Sequence, residues 1–237
     1  MKIGSLFSGI GGLERGLELA GVGSVVWQAE CDPYASAVLA KHWPTVKRYT
    51  DVKEIDEQAE RVDLICGGFP CQDISNAGKR AGIDGAKSGL WAEYARIIRV
   101  LSPRFVFIEN VAALVNRGLG RVLGDLSALG FDAEWTVVSA ADAGAPHERE
   151  RIFILAHSNK EYREAWVGSK DVYHWQGEVS RVGDTELPGV WVVPAPGACG
   201  SDDGIPSRVD RLECLGNAVV SQQAALAWKT LAARIAQ

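Results

Sequence analysis

Apolar residues in the first two thirds of the chain switch repeatedly between short continuous runs and a spacing of three to four. Lys2 to Phe7 is a run that predicts a strand; Leu13, Leu17 and Ala20 follow at helical spacing, and Gly21 with Gly23 marks that helix's end. Ser24 to Glu30 predicts a second strand. Asp32-Pro33 then supplies an N-cap and a first-turn proline for a helix through Ala35, Val38 and Leu39. Val62 to Cys66 is a third apolar run, stopped at Gly67-Gly68. Leu90, Trp91, Tyr94, Ile97, Ile98 and Leu101 form a helical stripe that Pro103 ends, before a strand from Phe105 to Ile108. A helix near Leu119 to Leu129 and strands over Ala133 to Ser139 and Arg151 to Ala156 complete the series. Strands alternating with helices predict an α/β fold, a doubly wound and mostly parallel sheet covered on both faces.

The pattern fails from about Ser158 to Ser207, where Gly and Pro recur with Trp166, Trp175 and Trp191, and helical spacing returns from about Gln222. The expected division is a catalytic, cofactor-binding domain of residues 1–157 and 212–237, interrupted by a small loop-rich domain at 158–211.

Composition narrows the picture. The chain has 237 residues, 47% of them hydrophobic, enough to bury a full core. Its net charge of -5 argues against attachment to nucleic acid by overall charge, yet Lys79, Arg80, Lys87, Arg96, Arg99 and Arg104 face only Asp84 and Glu93 in their stretch. Arg96 and Arg99 are also readable as the solvated face of a helix. Between His157 and Arg211 acidic residues outnumber basic ones. Neither a secretory signal nor an apolar run of membrane length is visible, so a cytoplasmic protein is expected. The five cysteines, Cys31, Cys66, Cys71, Cys199 and Cys214, lack zinc-type spacing; they are expected as thiols, with no metal.

Candidate chemistry gathers at predicted strand ends. Phe7-Ser8-Gly9-Ile10-Gly11-Gly12 follows the first strand, where small residues admit either tight packing or a cofactor against the backbone. Glu30 closes the second strand, where an acid accepts hydrogen bonds from ribose hydroxyls; the third glycine of the dinucleotide fingerprint is misplaced, so a ribose-bearing cofactor without pyrophosphate fits better. Gly67-Gly68-Phe69-Pro70-Cys71-Gln72 puts a thiol just beyond a buried strand, whereas Cys66, within the run, reads as structural. Glu109 should emerge at the same edge as Cys71. Alternation sets Arg149 and Arg151 on one side of an extended segment.

Together these residues resemble the C5-cytosine DNA methyltransferases, in that family's motif order and over nearly the whole chain. Phe7 to Gly12 is similar to the family's cofactor loop, Glu30 to its ribose acid, Asp51 to its adenine-side acid, Pro70-Cys71-Gln72 to its nucleophile loop and Glu109-Asn110-Val111 to its base-binding motif. Arg149-Glu150-Arg151 resembles the paired-arginine motif, and Gly216-Asn217-Ala218-Val219 the closing motif that returns to the cofactor pocket. His147 stands where Gln is usual, Ile74 where Phe is common and Ser221 near a common Pro; none of these is a reacting group. The resemblance implies a short bacterial or phage-type enzyme, of the kind found in restriction–modification, acting as a monomer on double-stranded DNA.

The resemblance also implies S-adenosylmethionine as cofactor, contacted by Phe7, Gly9, Gly11, Gly12, Glu30, Cys31, Asp51, Val52, Leu90 and Asn217. Gln72, Ser75, Lys79, Arg80 and Lys87, in and around a glycine-rich stretch resembling the family's mobile loop, are the expected DNA contacts. Cys71 is the expected nucleophile toward cytosine C6 and Glu109 the donor at the ring's N3 and N4, with Arg149 and Arg151 holding the base or orienting Glu109. The acidic recognition segment keeps tRNA open as an alternative substrate. A catalytically silent DNA-binding relative would have lost Cys71 or Glu109, and both are present.

Overall fold

The computed structural model describes residues 1–70, 89–158 and 214–236. Seven strands form one sheet: β1 (Lys2–Leu6), β2 (Ser24–Ala29), β3 (Lys47–Tyr49), β4 (Leu64–Gly67), β5 (Phe105–Val111), β6 (Phe131–Val138) and β7 (Arg151–Ser158). They lie in the order β3-β2-β1-β4-β5-β7-β6. β1 to β5 pair in parallel, whereas β7 runs antiparallel to both β5 and β6. The helices are α1 (Gly12–Leu19), α2 (Pro33–His42), α3 (Gly89–Leu101), α4 (Leu114–Arg117), α5 (Leu119–Ala128) and α6 (Ser221–Ile235). The mostly parallel α/β sheet expected from the alternating pattern is therefore present.

Strand alternation divides the core between the two faces. Leu64, Cys66, Phe105 and Phe107 join Leu13 and Leu17 of α1 and Trp228 and Leu231 of α6 in one cluster. Ile65, Val106 and Ile108 turn the other way, toward Tyr94, Ile97 and Ile98 of α3 and Val122 and Leu126 of α5. Trp228 meets Phe105 and Phe107 edge-on, so a helix from the end of the chain seals the face begun by α1.

Several strand ends differ from the predicted ones by two or three residues, and one strand was not predicted. β6 begins at Phe131 rather than Ala133, because the buried ring of Phe131 extends the pairing with β7 as far as Ser158. β3 carries no periodic signal at all: Lys-Arg-Tyr is a strand only because the end of β2 offers it an edge. Asp32 caps α2 as its sequence suggests, accepting from the Ala35 N–H at 2.7 Å.

Strand order reverses between β1 and β4, and the crevice outside the carboxyl ends of the strands at such a switch is where open α/β sheets bind ligands. The β1, β2, β4 and β5 ends deliver Phe7, Glu30, Gly68 and Glu109 there. Because β7 is reversed, its amino end reaches the same edge, with Arg151 paired opposite Val111.

Candidate active site

A cleft of about 420 Å³ opens at this switch, lined from β1 by Phe7, Gly9 and Gly12, from β2 by Glu30 and Cys31, and from the 214–219 segment by Asn217. Its far wall holds Gly68, Pro70, Glu109, Arg149 and Arg151. Residues from both ends of the chain share one cavity, in the size range of small-molecule sites.

The glycine turn sorts its members by role. Gly9 has φ +54°, and a side chain there would meet only open space, so its backbone is presented to the cleft. Gly11, at φ +87°, lies against the Trp43 ring and starts α1; at Gly12 a Cβ would fall 2.2 Å from the Val219 carbonyl oxygen. Gly11 and Gly12 are therefore required by packing, and Gly12 lines the cleft as well. Glu30 is fixed by two backbone donors, accepting from the Gly9 N–H at 2.7 Å and the Asp32 N–H at 2.8 Å. A carboxylate has about four lone-pair sites, so acceptor capacity is left over.

Asp51, Val52 and Leu90 lie outside the cleft wall. Asp51 accepts from the Lys53 N–H at 2.9 Å and opens a short helical turn after β3, Val52 is buried in the core and Leu90 packs against it. Asp51 still acts at the edge of the site, since it joins Glu30 and Asp32 in raising the Cys31 thiol above its ordinary pKa, behind burial as the main cause.

Glu109 is the buried acid of the opposite wall. Its Oε1 lies 3.0 Å from Arg151 Nε, with both side chains less than a fifth exposed. Burial raises its pKa, and the Arg151 and Arg149 charges oppose that rise. Gly68 makes room for it: a Cβ there would fall 2.7 Å from Glu109 Oε2. Asn110 sends its side chain back across the loop, donating to the Phe69 carbonyl at 3.2 Å and accepting from the Val111 N–H. The end of β5 thereby ties down the loop that leads through Pro70 into Cys71.

Arg149 lines the cleft and its charge acts on Glu109, and it is also tied to the chain's returning segment. It donates to the Gly216 and Ala218 carbonyls at 2.9 Å each, fastening the chain's returning segment to the sheet edge. Burial and the neighbouring Arg151 lower its pKa. Gln223 of α6, which no sequence motif flagged, donates to the Arg149 carbonyl at 2.6 Å and to the Val138 carbonyl at 2.7 Å. Arg96 is likewise committed, to Glu93 and to the Ile55 and Val52 carbonyls, so it is an internal tie rather than part of a solvated face, while Arg99 is exposed.

Cys71, Gln72, Ser75, Lys79, Arg80 and Lys87 lie outside the described residues, as does almost all of 158–211. Cys66 is fully buried in β4, with its thiol pKa raised well above the usual value by burial, as a structural cysteine requires. Among the described residues no three His, Cys, Asp or Glu side chains gather to hold a metal ion, and no helix is long and apolar enough to cross a membrane.

A doubly wound sheet with a reversed β7, a glycine turn after β1 and acids at the ends of β2 and β5 has the Rossmann-like architecture of methyltransferases. Comparison with known proteins makes this specific. Residues 1–187 match the sequence model of the C-5 cytosine-specific DNA methylases, and the chain belongs to that family. It is 40% identical over 164 residues to the type II methyltransferase M2.BsuMI of Bacillus subtilis, covering 66% of this chain and 42% of that protein. Against the type II methyltransferase M.MspI of Moraxella it is 30% identical over 223 residues, covering 89% of this chain and 51% of that one. A solved structure described as a DNA modification methyltransferase encoded within an Escherichia coli prophage superposes with a TM-score of 0.57 at 26% identity, over 68% of this chain and 47% of the other. The chain spans about half the length of these relatives.

Proposed function

We propose that this protein is a DNA cytosine-5 methyltransferase that uses S-adenosylmethionine, working as the modification partner of a restriction system. The observation that carries the reading is one cleft with Glu30 and an open glycine backbone on one wall and a buried Glu109–Arg151 pair beside Pro70 on the other. Two chemistries that the family performs together need those two walls side by side.

The cofactor wall fits an adenosyl group. Gly9 leaves its backbone open and Glu30 keeps spare acceptor capacity for ribose hydroxyls, with Phe7, Gly12, Cys31 and Asn217 around them. Gly11, Asp51, Val52 and Leu90 support this wall from behind or from its margin. When bound, S-adenosylmethionine supplies an electrophilic methyl group.

Cytosine C5 is a weak nucleophile. Addition of the Cys71 thiolate to C6 moves electron density onto C5 as an enamine, and Glu109 stabilises that adduct by donating a proton or hydrogen bond at N3. Its raised pKa keeps the donating form available to higher pH than in an exposed glutamate. Arg151 holds Glu109 in place and offsets the negative charge on the carboxylate once its proton has gone. After methyl transfer the C5 proton is lost and the thiolate leaves, restoring the aromatic ring. A stacked duplex hides C5, so the base must be flipped out, as it is by methyltransferases that act on bases in general. Residues 158–211 are assigned to target recognition, on a catalytic domain formed by 1–157 and 212–237.

The test is transfer of labelled methyl groups from S-adenosylmethionine to duplex DNA and, separately, to tRNA. Wild-type protein should label the duplex at cytosine C5, and Cys71→Ser should abolish labelling while cofactor binding persists. Unchanged turnover in Cys71→Ser would refute the mechanism, and labelling of tRNA alone would refute the substrate.

A further inference from the structure

Arg149 stands between the two walls of the cleft and is tied to each by a different interaction. Toward the returning segment the tie is geometric. The guanidinium donates to the Gly216 and Ala218 carbonyls at 2.9 Å each, so its two bonds straddle Asn217, which lines the cleft. That segment joins no strand among the described residues, and it meets the glycine turn where the Val219 carbonyl packs against Gly12. A rigid fork with two bonds fixes a backbone's orientation, which one flexible contact does not. The hold is mutual: Arg149 Nε is buried and has no partner among the described residues, so the two carbonyls decide where the guanidinium lies.

Toward Glu109 the tie is electrostatic. Glu109 is enclosed, and Arg151 and Arg149 supply the two charges that oppose the effect of burial on it. Arg151 makes the ion pair, at 3.0 Å, and Arg149 acts through space. The loop after β4 presents only the uncharged Gly68 to this carboxyl. Glu14, Glu30, Cys31, Asp32 and Cys214 are the other titratable groups that line the cleft. A charge whose place is set by Gly216 and Ala218, and whose field reaches Glu109, cannot move with one wall without changing the other.

We propose that Arg149 is a positioning residue that couples the two walls: its fork places Asn217 against the cofactor, and the same two bonds hold its charge where it steadies Glu109. This rests on the adenosylmethionine reading given above. A cofactor entering the cleft displaces water from a cavity that Glu109 shares, which disfavours the charged carboxylate. Binding therefore takes up a proton at Glu109, and by linkage the protonated protein binds more tightly. Cofactor affinity should fall as pH rises through the range in which Glu109 ionises. Without the Arg149 charge that range lies higher, because one of the two charges opposing burial is gone.

Calorimetric titration across a pH series tests this without turnover. The probe is S-adenosylhomocysteine, which lacks the sulfonium and so brings no net charge of its own. Wild-type affinity should fall by about fivefold or more through the step, and Glu109→Gln should abolish the step, which separates it from the other groups in the cleft. Arg149→Met should bind about tenfold to a hundredfold more weakly at every pH and carry the step at higher pH. Arg149→Lys keeps the charge without the fork: it should bind weakly, with the step near its wild-type position. A weakened Arg149→Met whose step has not moved would reduce Arg149 to a structural tie and overturn the proposal. So would a moved step at undiminished affinity, or a wild-type protein whose affinity does not vary with pH. If wild-type protein does not bind S-adenosylhomocysteine at all, the cofactor reading itself has failed, a separate result. Should Arg149→Met melt too low to titrate, Arg149→Gln keeps an N–H donor without charge and must show the same displaced step.

Discussion

Individual side chains in the cleft take their character from burial rather than from type. Glu30 and Glu109 are both strand-end glutamates, but Glu30 is half-exposed and braced by backbone N–H groups, whereas Glu109 is enclosed beside Arg151. Burial raises the Glu109 pKa, so its protonated form persists above the ordinary glutamate range and is lost as pH rises through the raised value. If the protonated form donates to cytosine N3, activity should fall along an alkaline limb set by that group. Glu109→Gln cannot titrate; it is expected to lower kcat by about a hundredfold to ten-thousandfold and to remove that limb from the pH–rate profile. A variant that keeps the limb would assign it to another group. The sequence showed Glu109 as an acid at a strand end and Cys66 as an interior thiol, because strand position alone dictates both. It did not show that Glu14 would be buried, although a signal existed: Glu14 stands three residues before Leu17 and therefore shares the buried face of α1.

Secondary-structure elements explain why the site holds its shape. β7 turns Arg151 toward Glu109 because it enters the sheet reversed, and α6 returns from the chain's end to lie on α1 and β7. The join between these two elements is polar. Gln223 bonds the carbonyls of Val138 and Arg149, and Arg149 bonds the carbonyls of Gly216 and Ala218, so the sheet edge and the returning segment are one hydrogen-bonded unit. Gln223→Leu keeps the volume and removes both bonds. It should cost about 1–2 kcal/mol, read as a lower urea midpoint, and should also weaken cofactor binding by loosening Asn217. A stability loss with unchanged cofactor affinity would mean that the clamp serves α6 alone. None of this was legible in advance: α6 was visible as a helical stripe, but a glutamine on it carries no mark of the strand it will meet.

For the molecule as a whole, charge is the quantity that averaging obscures. The net charge of -5 counts against a DNA-binding protein, and Arg96, one of the basic residues that seemed to offset it, is spent on internal bonds. If the protein grips duplex DNA, phosphate contacts must then fall more heavily on Lys79, Arg80 and Lys87. Binding measured across a salt series should weaken steeply, and replacing any one of these three with Ala should lower the slope by about one while weakening binding to all sequences alike. A slope unchanged in all three variants would move the electrostatic contact to another surface.

What the sequence determined by itself was everything carried by local spacing. It specified the alternation of strands and helices, the glycine turn after β1, the acids at the ends of β2 and β5, the capped start of α2 and the order of the motifs. Each depends on neighbours a few residues apart, and periodicity and backbone chemistry act over that range. Tertiary structure alone decided which of those pieces share a cavity. It chose the reversal of β7, gave Lys47–Tyr49 a strand to pair with, separated the packing glycines Gly11 and Gly12 from the open Gly9, turned Arg149 onto the closing segment and enclosed Glu14. Those outcomes depend on contacts between residues distant in the chain, whose cost and reward are settled only when the sheet has assembled and water has left its faces.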